Sequence, residues 1–81
     1  MSENHLSARA LESLMGQWRG GASAYLALSD RIRLLTLDGR IPTDSRLPAE
    51  RDLSLRLGVS RTTVTAAYRQ LRDAGYLRSW R

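Results

Sequence analysis

The sequence predicts a mainly α fold: four short helices, the last two joined as a helix-turn-helix, with one strand after them. Three observations carry this. Apolar residues recur at helical spacing in separate stretches along the chain. A tight joint, LGVS at 57–60, separates the last two of those stretches. The final segment, YLRSWR at 76–81, alternates apolar and polar residues as a strand does. At 81 residues the chain is one domain at most, with a small core and little room for a buried catalytic cleft.

The first helix is expected over 7–18, where Leu11, Leu14, Met15 and Trp18 share one face and Ser7 suits the N-cap. Gly20-Gly21 then reads as a flexible joint. This helix could pack on its neighbour, dimerise or bridge to another domain. The second helix runs from about Ser23 to Asp38 and ends at Gly39. Tyr25, Leu28, Ile32 and Leu35 form one stripe on it, while Leu26, Leu34 and Leu37 lie on a different side. Two apolar sides need two coverings, and the first helix is a candidate for one of them.

Residues 40–47 are turn-rich, with room for a very short strand near Arg46-Leu47. A third helix is expected over 48–57, with Pro48 at its first position, Leu53 and Leu57 inward and Gly58 ending it. Ser60 is the N-cap candidate of a fourth helix over 60–74, closed by Gly75. Ser54, Gly58 and Val64 meet the needs of the helix-turn-helix. A small residue lets the helices approach, glycine permits the turn, and a branched apolar residue fills the crossing.

Charge is unevenly placed. Residues 1–45 hold five arginines and five acids, whereas residues 46–81 hold eight arginines and three acids, so the net +5 belongs to the second part. That asymmetry points to a polyanionic partner. Without cysteine there is no disulfide, thiolate nucleophile or thiolate metal site, and the single histidine, His5 in an expected solvated tail, builds no metal cluster or catalytic relay. An enzyme is therefore not expected. The apolar runs are too short to span a membrane, and MSENHLSARA lacks the pattern of a secretory signal. A soluble cytoplasmic protein is expected.

The fourth helix carries the chemistry. At 100° per residue, Val64, Ala67, Tyr68 and Leu71 fall in one sector, and Arg61, Thr62, Thr65, Arg69 and Arg72 fall opposite. The outward sector is cationic and hydroxyl-bearing, with only Asp73 at its border. A helix of this kind fits the major groove of double-stranded DNA, reading base edges from its N-terminal end. Arg61 can offer two parallel donors to a guanine. Thr62 and Thr63 can meet a thymine methyl, a base edge or a phosphate. The free N–H groups at Ser60–Thr62 favour a phosphate. Arg51, one turn into the preceding helix, is placed for backbone or a neighbouring base. Arg69 and Arg72 are expected to supply field or phosphate contact, and Arg56 surface charge only. The competing reading is a protein-interaction or dimerisation module that docks through the Leu11–Trp18 stripe.

Residues 38–77, with LPAERDL, LGVSRTTV and LRDAGYL in succession, resemble the winged helix-turn-helix of the GntR family of bacterial transcription regulators. TVTAAYRQL, GYLRS and MGQWRGG before AYLALSDRIRLL look most like its MocR branch. The chain is expected to divide at the Gly20-Gly21 joint into an N-terminal helix and joint, 1–21, and a winged helix-turn-helix, 22–81, with the wing that the resemblance implies incomplete at 76–81. The resemblance implies DNA contact at Arg51, Arg61, Thr62 and Thr63. It also implies a homodimer in the full-length regulator and an aminotransferase-like domain that binds pyridoxal phosphate. With no lysine to form a Schiff base, this chain is expected to hold no cofactor itself.

Overall fold

The computed structural model describes residues 5–20, 23–42 and 45–76. Four helices run through them: α1 (Ala8–Met15), α2 (Ala24–Leu37), α3 (Glu50–Leu57) and α4 (Arg61–Asp73). The mainly α architecture is as the sequence predicts. Beyond Tyr76, the strand expected over 76–81 lies outside the described residues.

One core holds the helices together. Leu11 and Met15 of α1, Leu28, Ile32 and Leu35 of α2, Leu53 of α3, and Val64, Ala67, Tyr68 and Leu71 of α4 are all buried, with Ile41 joining from the loop. Burying a side chain such as Leu, Ile or Val stabilises by roughly 1.5–3 kcal/mol, so this cluster sets the arrangement. α4 lies against α2 and α3, and α1 crosses α3 and α2. Among the described residues, no buried side-chain polar atom lacks a partner. Buried Ser29 and Ser54 donate to the carbonyls of Leu26 and Arg51 three residues back, at 3.1 and 2.8 Å.

α1 is shorter than its periodicity predicts. The Ser7 hydroxyl accepts from the Ala10 N–H at 3.1 Å, as an N-cap should. Gly16, at φ +57°, then ends the helix well before Gly20, so Trp18 sits past it and packs part-buried against the core.

α2 corrects a second expectation. Leu28, Ile32 and Leu35 enter the core, but Tyr25 at the helix start is 36% exposed. Leu26, Leu34 and Leu37 stay exposed as well. The apolar face of α1 does not cover them, because Leu11 and Met15 join the same core as Leu28 and Ile32. α1 thickens one core and leaves the other side of α2 open.

His5 is exposed, as expected, while the backbone at His5 and Leu6 is held against the loop before α3. The short strand expected near Arg46-Leu47 is a single parallel bridge between His5 and Arg46, and the Leu6 N–H donates to the Arg46 carbonyl at 2.9 Å. α3 starts at Glu50 and not at Pro48, because Ala49 is extended (φ −58°, ψ 148°) and serves as the N-cap. Buried Pro48 directs its carbonyl to the Tyr68 hydroxyl at 2.7 Å. Ala49 has no capping side chain, and Glu50 and Asp52 supply negative charge to the first turn instead.

Candidate nucleic-acid interface

The turn between α3 and α4 fixes everything on its far side. Gly58 adopts the left-handed conformation (φ +71°, ψ 33°) that glycine takes without strain. Its N–H and that of Val59 both donate to the Ser54 carbonyl, at 3.0 and 3.1 Å, which closes the end of α3. Ser60 then caps α4: its hydroxyl accepts from the Thr63 N–H at 3.1 Å and pairs with the Thr63 hydroxyl at 2.9 Å. The hydroxyls of Ser60 and half-buried Thr63 are thus already occupied at the helix start.

A clamp from the N-terminal segment steadies this turn. Arg19 donates to the carbonyls of Leu57 and Gly58, at 3.2 and 3.5 Å, where the end of α3 favours a cation. Its guanidinium lies 5.2 Å from the centre of the Trp18 ring. Arg56, expected to be surface charge only, pairs with Glu12 of α1 at 2.8 Å.

With the turn set, α4 presents the face that its phase predicts. Val64, Ala67, Tyr68 and Leu71 are buried, and Arg61, Thr62 and Arg69 are exposed on the opposite side. Arg51, in the first turn of α3, is exposed too. Arg72 is half-buried in the last turn, where its charge meets the negative end of the helix.

Two neighbours of this face were not legible in the sequence. Glu50 brings a carboxylate to it from α3. Its Oε1 accepts from the Thr65 hydroxyl at 2.8 Å and stands 3.9 Å from Nε of Arg61. Thr65 is therefore half-buried and engaged within the protein, where an outward hydroxyl was expected. Asp73 is accordingly not the sole acid near α4. The second neighbour is Tyr25, a member of one apolar stripe of α2. It lines, with Thr62, Thr65, Ala66, Arg69 and Asp73, an open groove of about 360 Å³ between α2 and α4. Helical phase marked Tyr25 as apolar-stripe, and only the crossing of the two helices puts it at the groove.

Beneath the face, the Tyr68 phenol is pushed up from its usual pKa, first by burial and then by the negative charge of Glu50. It remains a neutral donor to Pro48. Among the described residues there is no group of three or more His, Cys, Asp or Glu able to hold a metal ion, and no helix long and apolar enough to cross a membrane.

The sequence is similar to several bacterial regulators. An HTH-type transcriptional regulator of Mycobacterium tuberculosis is 39% identical over 59 residues, which cover 73% of this chain and 22% of that protein. The HTH-type pyridoxine biosynthesis transcriptional regulator PdxR of Corynebacterium glutamicum is 46% identical over 50 residues, 62% of this chain and 11% of that protein. The "Probable rhizopine catabolism regulatory protein MocR" of Rhizobium meliloti is 42% identical over 52 residues, 64% of this chain and 10% of that protein. The chain thus spans between a tenth and about a fifth of the length of these relatives. No solved structure matches it. The family model described as bacterial regulatory proteins, gntR family, matches residues 24–81, from the start of α2 through the capped turn and the whole of α4, and the chain belongs to that family.

Proposed function

We propose that this chain binds double-stranded DNA with sequence preference, as the DNA-binding domain of a bacterial transcription regulator, with α4 seated in the major groove. One observation carries the reading. Arg61, Thr62 and Arg69 stand exposed on one side of a capped helix whose other side is anchored in the core. An exposed helix held by a tight turn, with arginine at its start, suits direct reading of base edges. Arg61 is the guanine reader, Thr62 a base or phosphate contact, and Arg51 and Arg69 the flanking cations. Ser60 and Thr62 offer backbone N–H groups of the helix start to a phosphate, while the Thr63 N–H is held by the Ser60 cap. In a full-length regulator, two copies would meet paired half-sites.

The test is fluorescence anisotropy of a labelled duplex across a salt series. Phosphate neutralisation makes affinity fall steeply with salt. Binding that ignores salt, or none at high protein concentration, would overturn the reading. Against the competing interaction module, Leu11 and Met15 are buried, and Leu14 and Trp18 pack part-buried on the same core.

A further inference from the structure

We propose that Glu50 is a positioning residue that sets which base pair Arg61 prefers, with Thr65 as the post that holds Glu50 in place. The assignment rests on the reading of Arg61 as a base reader, and it goes further by naming what aims it.

The geometry has three parts. First, the Glu50 carboxylate comes from α3 and reaches α4 across the helix-turn-helix crossing. It is fixed there by the Thr65 hydroxyl, which donates to Oε1 at 2.8 Å. Second, the same oxygen stands 3.9 Å from Nε of Arg61, the inner nitrogen of the guanidinium. An acid at the Nε edge leaves the end-on edge, formed by one N–H of each terminal nitrogen, open. That edge offers the two parallel donors that can meet a guanine O6 and N7. Third, the Arg61 side chain is 68% exposed whereas that of Glu50 is 28% exposed. The carboxylate therefore forms the fixed base of the pair and the guanidinium its projecting end. A long side chain aimed before it binds loses less freedom on binding, and a wrong base meets it at the wrong angle.

Glu50 also has an opposing effect. A carboxylate beside the face repels phosphates of any sequence, so it lowers sequence-independent binding while it sharpens the preferred contact. These two effects move in opposite directions when the charge is removed. A residue needed only for folding would lower both.

The experiment uses the whole chain and a duplex that it selects from a randomised pool, together with single-base-pair variants of that duplex and a scrambled one. Anisotropy is measured for the wild type, Arg61→Ala, Glu50→Gln, Thr65→Val and the double variant Glu50→Gln/Arg61→Ala, with thermal melts to establish folding. Arg61→Ala locates the base pair that Arg61 reads. Glu50→Gln should lower discrimination at that same base pair about five- to tenfold, a part of what a bidentate arginine contact supplies. It should also bind the scrambled duplex about two- to threefold more tightly, as expected for one fewer negative charge. Thr65→Val should reproduce the lost discrimination without the tighter scrambled binding, because the charge remains. The double variant should discriminate no less than Arg61→Ala alone. Unchanged discrimination in folded Glu50→Gln overturns the positioning role and leaves DNA binding standing. A loss at a base pair untouched by Arg61→Ala makes Glu50 a reader in its own right and equally overturns it. Failure of the wild type to select any duplex overturns both readings together.

Discussion

The Tyr68 hydroxyl donates a 2.7 Å hydrogen bond to the Pro48 carbonyl, twenty residues earlier in the chain. It joins the middle of α4 to the residue that leads into α3, and so fixes the approach to the face from beneath. The phenol must stay protonated to donate. Burial and the nearby Glu50 charge both raise its pKa above the ordinary value of 10.0. The folded state therefore holds this proton more tightly than the unfolded chain. The stability it lends is fully present below about pH 10 and falls as pH rises beyond that, since only the unfolded tyrosine ionises there. Urea midpoints from pH 8 to 11 should drop more steeply for the wild type than for Tyr68→Phe. At pH 7, Tyr68→Phe should cost about 1–2 kcal/mol, because the Pro48 carbonyl loses its partner.

Leu11→Ala should destabilise the protein by about 2–5 kcal/mol, the usual range for removing a fully buried leucine. Its side chain has no exposure and touches the core shared with α2, α3 and α4. If α1 were an arm that merely rests on the domain, the urea midpoint would hardly move.

Gly58→Ala should cost about 1–2 kcal/mol, and the whole of that cost should lie in the backbone. The residue holds a left-handed conformation, yet an added Cβ meets nothing within 4 Å. Gly58→Asn should therefore recover part of the loss in chemical denaturation, because asparagine tolerates that conformation better than alanine. A steric cause would make asparagine the worse of the two.

Ser60→Ala should cost about 1 kcal/mol by removing the cap of α4. Thr63→Ala keeps the backbone N–H that the cap accepts, so it should cost less in the same measurement.

Arg61→Ala should weaken binding to a preferred duplex by about 1–3 kcal/mol and relax preference at one base position. Arg69→Ala should weaken all duplexes alike and reduce the slope of log affinity against log salt by about 1. Equal losses on preferred and scrambled duplexes for Arg61→Ala would remove it from base reading.

The parts of this fold that were legible in the sequence are those decided within one turn of helix. The Ser7 and Ser60 caps, the Gly58 turn and the two sides of α4 depend on neighbours one to four positions away, and, Thr65 apart, each is where its spacing puts it. What escaped is decided by how helices cross. Thr65 finds Glu50 fifteen positions away, Arg19 reaches Leu57 across thirty-eight, and Arg56 reaches Glu12 across forty-four. No periodicity encodes such pairs. The phase of α2 likewise shows two apolar sides but not which is covered: Tyr25 lines the groove beside α4, and Leu26, Leu34 and Leu37 stay exposed. At the site, the outward cations could be named from one helix alone. The acid that borders Arg61 could not, because it belongs to another helix.

The early end of α1 at Gly16 sets the measure of the segment after it. Within three residues the Gln17 carbonyl accepts from Arg31 at 3.1 Å, and Arg19 arrives at the end of α3. Those two attachments point to opposite neighbours, α2 and α3, so the stretch between them works as a strap of fixed length. Its side chains can vary as long as its span does not. One residue inserted between Gln17 and Arg19 would slacken the strap and free the Leu57–Gly58 carbonyls, even though every core residue stayed in place.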